Sequence, residues 1–210
     1  MGYGRAKLVS ECLLAEAAST SGLRAAVCRV GVVAGPVERN EGMWNRHEYI
    51  PALINSSVRL GCFPSTFPSR DHVDWLPVDK VARVLVEILE SATATLEIST
   101  KGTLPVYHVA NPHAISWGNI VPWAVDGLKL KPVSFAEWLG KLDSCDEPLE
   151  HVEKNPAVKL IEFYREAGKT SRAQRRMMTW KATQASKTLR EIGPVNREWM
   201  VAWSRQWGLV

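Results

Sequence analysis

Residues 25 to 36 read Ala25-Ala26-Val27-Cys28-Arg29-Val30-Gly31-Val32-Val33-Ala34-Gly35-Pro36. Up to Val33 this is an almost continuous apolar run of strand length, as expected of a strand buried on both faces of a parallel sheet. Gly35-Pro36 closes it with a turn. Upstream, Leu8, Cys12, Leu13, Ala15, Ala17 and Ala18 recur in helical phase, and Gly22 supplies a stop. Helix, buried strand and glycine turn in that order make half of a doubly wound α/β unit. Ligands of such folds sit outside the carboxyl ends of the strands, the end that Val32 to Gly35 would occupy.

At the head of the helix stands Tyr3-Gly4-Arg5-Ala6-Lys7. Residues four apart on a helix share a face, so this phenol and this ammonium can converge on one point. An ammonium beside a phenol favours the phenolate, which makes the phenol a usable acid when hydride reaches a carbonyl carbon and the oxygen must be protonated. The plain alternative for the same spacing is an exposed helical face.

Four stretches, in order along the chain, carry a resemblance. They are Gly2-Tyr3-Gly4-Arg5-Ala6-Lys7 with Ser10-Glu11, then Cys28 to Pro36, then Gly42-Met43-Trp44-Asn45, then Asp74-Trp75-Leu76-Pro77-Val78-Asp79-Lys80-Val81-Ala82. Together they resemble the extended short-chain dehydrogenase/reductases, and within them the terminal thioester reductase domains of nonribosomal peptide synthetases, carboxylic acid reductases and some polyketide synthases. The likeness is good to about residue 115, and collinear matches are more specific than any one motif. Asn155 to Leu160 and Ser186 to Arg190 look like the C-terminal segment of fungal members.

The resemblance implies an NADPH-dependent reductase that releases a carrier-bound acyl or peptidyl thioester as aldehyde or alcohol. Tyr3 would be its general acid, and Lys7 would hold the nicotinamide ribose and activate the phenol. Gly31, Val32 and Val33 would face the nicotinamide, while Trp44 and Asn45 would border the substrate channel. Trp44 could equally plug its loop against the core. Val30 departs from the family, which usually has proline after the arginine. Also absent are the upstream Ser or Thr hydroxyl and the glycine-rich turn that cradles the cofactor pyrophosphate. The expected fold class is therefore α/β, the C-terminal portion of a Rossmann-like extended fold plus a mainly helical substrate-binding subdomain. Residues 1–38 would end the first part and residues 39–210 form the second, with a missing nucleotide-binding half as partner. Alternatives are a redox-inactive domain that releases product by Dieckmann cyclisation and, for the isolated chain, a non-catalytic carrier-docking and acyl-binding module.

Composition excludes several classes. The 210 residues are 46% hydrophobic and 23% charged, an ordinary globular balance, and a net charge of +4 argues against dedicated nucleic-acid binding. Cys12, Cys28, Cys62 and Cys145 are too scattered for metal-ligand spacing, as are the five histidines. No metal is expected, and the cysteines read as reduced thiols of a cytoplasmic protein. No apolar run approaches the ~20 residues needed to span a bilayer.

The rest of the chain divides by its punctuation. Glu41 to Gly61 reads as a loop feeding a helix, Val73 to Pro77 as one short strand, and Val106 to Ala110 as another. Asp79 reads as the cap of the helix that follows Pro77. Beyond Ser116 the pattern is helical. Ser134-Phe135-Ala136-Glu137 forms a capping box, Asn155-Pro156 an N-cap with proline at the first helical position, and Asn196 a cap for the last helix. In that helix Trp199, Trp203 and Trp207 form one stripe, which is either a core face or a docking surface. Asp143 to Glu153 reads as an acidic surface loop. Lys169, Arg172, Arg175 and Arg176 form a basic patch suited either to solvent or to an acidic carrier protein with its phosphopantetheine arm.

Overall fold

The computed structural model describes residues 2–39, 41–94, 104–145, 155–169 and 176–210. Helix α1 (Gly2–Ser21) leads into strands β1 (Val27–Val30) and β2 (Val33–Ala34). There follow α2 (Tyr49–Leu60), β3 (Cys62–Pro64), β4 (His72–Val73), β5 (Leu76–Pro77), α3 (Val78–Ala94), β6 (Val106–Val109) and β7 (Ile115–Ser116). The chain continues through α4 (Val121–Leu128), β8 (Lys131–Val133), α5 (Phe135–Asp143), α6 (Ile161–Lys169), α7 (Trp180–Ala185), α8 (Lys187–Glu191) and α9 (Arg197–Gln206).

The strands pair two by two across long stretches of sequence. β1 runs parallel to β6, with Val27 opposite Val106, and β2 runs parallel to β5, with Val33 opposite Leu76. β3 is parallel to β8, whereas β4 and β7 are antiparallel. Parallel partners need a long connection, and α3 links β5 of one parallel pair to β6 of the other. Its Val81, Val84 and Ile88 are buried against Leu76, Tyr107, Val109, Leu189 and Ile192. A larger aromatic core gathers Trp44, Phe63, Phe67, Trp75, Trp117, Trp138 and Trp203.

The helix breaks fall where the sequence puts them. Gly22 and Gly61 take the left-handed conformation, with φ of 66° at both, directly after α1 and α2. Ser134 and Asn196 accept the N–H groups of Glu137 and Trp199, at 3.1 and 3.0 Å. Val106–Val109 is a strand as expected.

Several expectations are corrected. The run from Ala25 to Val33 is two strands, because the Gly31 N–H still bonds the Val109 carbonyl of β6 at 2.8 Å whereas the Val32 carbonyl accepts the Leu76 N–H and the chain passes to β5. β1 is only half-covered, with Val30 exposed, since β6 is its one ladder partner among the described residues. Residues 73 to 77 are likewise split between β4 and β5, which serve different pairs. β8, with Pro132 at its centre, is a strand inside the region read as helical. Asn155 gives no side-chain cap; its amide is fully buried with no hydrogen-bond partner among the described residues, and a 3-10 turn (Pro156–Leu160) precedes α6.

Asp79 is another. It lies inside the first turn of α3, and its Oδ2 accepts the N–H groups of Val37 and Glu38 at 3.0 and 2.7 Å while Oδ1 accepts that of Lys80. The carboxylate thus ties the loop after β2 to α3 instead of capping from outside. Asp79→Ala would leave two loop donors without an acceptor and is expected to lower stability by about 1–3 kcal/mol, measured by urea unfolding. Most of the linker from Asp143 to Glu153 lies outside the described residues.

Candidate functional site

Tyr3 and Lys7 sit one turn apart on α1, and the Lys7 Nζ lies 5.3 Å from the centre of the Tyr3 ring. The shared face expected from the spacing is therefore formed. Tyr3 is 78% exposed, and its hydroxyl has no hydrogen-bond partner among the described residues. Lys7 likewise has no ion-pair partner there, so both groups are free to reach a ligand. The helix is held to the sheet through Glu11, whose carboxylate takes two N–H groups of Arg29 on β1 at 3.0 and 2.6 Å. Arg29 lowers the Glu11 carboxyl from its usual range through these hydrogen bonds.

Gly31 and Val32 link β1 to β2, and Val33 begins β2. A side chain at Gly31 would meet the Ala110 Cβ at 3.2 Å, so close strand packing alone calls for glycine there. The Val32 carbonyl accepts the Leu76 N–H at 3.0 Å.

Trp44 is only 2% exposed. Its indole donates to Glu48 at 3.0 Å, and its ring stands edge-on to Trp75 and Trp203, with centroids 5.2 and 5.1 Å away. The carbonyl accepts the Trp207 indole N–H at 2.9 Å. This geometry is that of a tryptophan plugging its loop against the core. Asn45 is exposed and its side chain accepts the His47 N–H at 3.0 Å. Trp203 and Trp207 are buried with Trp44, so the tryptophan stripe of α9 is a core face, and the docking-surface reading of it is set aside.

Gln206 is the residue that joins these pieces, and no motif singles it out. Its Oε1 accepts the Trp44 N–H at 3.2 Å and its Nε2 donates to the Pro36 carbonyl at 2.8 Å. Across the 35–36 turn the Trp203 indole donates to the Gly35 carbonyl at 2.8 Å. A Cβ at Gly35 would stand 2.8 Å from the Trp44 nitrogen, so the turn requires glycine. The structure thus unites Tyr3 with Lys7, and Trp44 with the turn after β2. No hydrogen bond, ion pair or ring contact joins the two groups among the described residues.

Of the basic patch, Lys169 is exposed and pairs with Glu166 at 2.7 Å, and Arg176 is exposed. Arg172 and Arg175 lie outside the described residues. Among the described residues no His, Cys, Asp and Glu cluster could hold a metal, and no helix is long and apolar enough to cross a membrane.

Asp74, in the stretch before β5, is nearly buried, and burial pushes its carboxyl up from the ordinary range, with His72 Nε2 at 4.0 Å opposing. The native state therefore holds this proton more tightly than the unfolded chain does. The resulting stability is fully present below the unfolded value of ~3.9 and is lost as pH rises through the folded value. Asp74→Asn is expected to match the parent at low pH and to melt higher at pH 7, read from thermal unfolding at both.

Residues 1–85 match the family model described as Male sterility protein, an NAD-binding family. A carboxylic acid reductase of Neurospora crassa is 34% identical over 98% of this chain, which spans 20% of that protein. The family match thus spans α1 through the first half of α3, and the likeness to the reductase runs along nearly the whole chain. Solved structures agree on the fold. The terminal R domain of the myxalamid biosynthetic pathway superposes over 97% of the chain with a TM-score of 0.71 at 20% identity, the chain spanning 48% of it. A thiolation-reductase di-domain of an archaeal non-ribosomal peptide synthetase covers 91% with a TM-score of 0.58 at 18% identity, the chain spanning 38% of it. The chain is thus α/β with the extended short-chain dehydrogenase/reductase fold, and spans about half of the myxalamid domain.

Proposed function

We propose that this chain is the substrate-side part of an NADPH-dependent thioester reductase domain, acting on an acyl or peptidyl group carried by the phosphopantetheine arm of a carrier protein. The observation that carries the reading is the Tyr3 and Lys7 pair, set on one exposed helical face directly ahead of β1 within the NAD-binding match. Both polar ends are unoccupied, so they fit the ribose hydroxyls of a nicotinamide nucleotide and the oxygen of a thioester. Bound NADPH supplies the hydride. The Tyr3 hydroxyl donates a hydrogen bond or its proton to the carbonyl oxygen that gains charge, and the Lys7 ammonium holds the ribose and favours the phenolate that remains. Gly31 to Val33 border the nicotinamide. The products are an aldehyde and the carrier thiol, by cleavage of the carbon–sulfur bond.

The surface of α1 supports a second half of the domain as partner. Leu8, Val9, Leu13 and Leu14 are exposed and point in several directions around the helix, as in a helix covered on more than one side. In this reading residues 1–38 complete the nucleotide-binding part and residues 39–210 form the substrate subdomain. The loop of Trp44 and Asn45 borders the channel, Trp44 as its fixed anchor and Asn45 as its exposed side chain. Lys169, Arg172, Arg175 and Arg176 steer an acidic carrier protein.

The test is oxidation of NADPH by the intact reductase domain, followed at 340 nm with an acyl thioester on its carrier, beside aldehyde detection. Stoichiometric NADPH loss and aldehyde are expected. Release of product without NADPH consumption would instead favour Dieckmann cyclisation and remove the role of Tyr3 as an acid for reduction.

A further inference from the structure

Outside the carboxyl end of β2 lies a pocket of about 250 Å³ lined by Pro36, Val37, Arg39, Ala202, Arg205 and Gln206. It is smaller than the ~300–1,000 Å³ typical of sites that enclose a whole drug-sized ligand, so it suits a head group. Pro36, Val37 and Ala202 give it an apolar side. Gln206 is already committed to Trp44 and Pro36, which fixes one wall.

The two guanidinium groups are the unusual part. Neither the Arg39 nor the Arg205 side chain has a hydrogen-bond, ion-pair or ring partner among the described residues. Other arginines of this region are satisfied: Arg83 pairs with Glu38 and Arg46 donates to the Trp207 carbonyl at 2.6 Å. Two carboxylates close to the 36–39 turn are engaged elsewhere. Glu38 is held by Lys80 and Arg83, and Asp79 by the backbone of residues 37 and 38. The carboxyl end of α9 offsets part of the Arg205 charge and leaves that of Arg39 standing. Two open guanidinium forks over a small, partly apolar pocket match a tetrahedral anion, to which each can donate two parallel hydrogen bonds. The position fits as well, because in open α/β sheets ligands bind beyond the carboxyl ends of the strands.

We propose that Arg39 and Arg205 form a receptor for the phosphate of a phosphate ester, with Pro36, Val37 and Ala202 receiving the carbon atoms next to it. A phosphopantetheine arm and a nucleotide share that chemistry. The site is defined by its own residues and is read by binding alone, so it can stand or fall apart from the reduction chemistry.

Isothermal titration of the full chain at fixed ionic strength tests it, with inorganic phosphate, 4′-phosphopantetheine, unphosphorylated pantetheine and adenosine 2′-monophosphate as probes. Saturable binding of at least one phosphate ester is expected, and the tighter of the two esters identifies the source. Arg39→Met and Arg205→Met should each weaken it about tenfold or more, the loss of a charge-assisted contact. Arg39→Lys should recover part of the affinity through charge without the fork. Both positions are exposed, so melting temperatures close to the parent's will certify folding. Pantetheine binding as tightly as its phosphate, an adventitious ion only, or a double variant that binds like the parent would each overturn the proposal.

Discussion

Under the proposed function, Tyr3→Phe is expected to lower NADPH-dependent thioester reduction by about 10²- to 10⁴-fold while leaving the fold intact, the usual contribution of one positioned proton donor. The phenol oxygen is the only atom the substitution removes. It makes no contact that holds the protein together, since the ring is 78% exposed and the hydroxyl has no partner among the described residues. Substitutions at such surface positions change stability by about 0.5 kcal/mol or less, so a fall in rate cannot be ascribed to unfolding. The loss should appear in kcat, because the donor is used most when the carbonyl oxygen gains charge. Lys7→Met should differ in kind. It removes the ammonium that lies over the ring, and it should raise the KM for NADPH as well as lower kcat. A Tyr3→Phe domain that still reduces its thioester within about threefold of the parent would refute the assignment of Tyr3 as the acid.

The local signals in the sequence survive in the structure, and the long-range ones were not there to be read. Gly22, Gly61, Ser134 and Asn196 punctuate helices where their backbone or side-chain chemistry requires. The i, i+4 spacing of Tyr3 and Lys7 brings ammonium and ring together because helical geometry alone dictates it. What failed were readings that needed a distant partner. Residues 25 to 33 look like one strand until β5 takes the second half and β6 the first. Asp79 looks like a cap because Asp before a helical pattern is one, but its carboxylate is claimed by N–H groups more than forty positions upstream. Asn155 has the sequence of an N-cap, yet its buried amide caps nothing. Gln206, Arg39 and Arg205 converge only because α9 folds back on the turn after β2, and no spacing along the chain could announce that.

Trp203→Ala should be the most destabilising single change, costing about 3–5 kcal/mol, as for other buried aromatic rings cut to alanine. Trp203 has no solvent exposure, and its ring meets Trp44, Trp75 and Trp199 at centroid distances of 5.1, 6.2 and 6.2 Å. Deleting it empties the place where α9, the Trp44 loop and the link between β4 and β5 come together. It also leaves the Gly35 carbonyl without its donor in a buried setting, which adds to the loss. Against a total stability of about 5–15 kcal/mol this is a large fraction, and the melting temperature should fall by about 6–20 °C. Trp199, on the same stripe, is only partly buried, so Trp199→Ala should cost clearly less. Trp203→Phe refills most of the volume and loses the indole donor alone, which isolates the hydrogen bond at about 1–3 kcal/mol. Equal melting temperatures for the two alanine variants would mean that the stripe is not a core face. The expected order, with Trp203→Ala lowest, would fix α9 as the strut that holds the turn after β2. Phosphate-ester binding at Arg39 and Arg205 should then weaken in Trp203→Phe in step with its stability, since the same helix carries Arg205 and Gln206 to that turn.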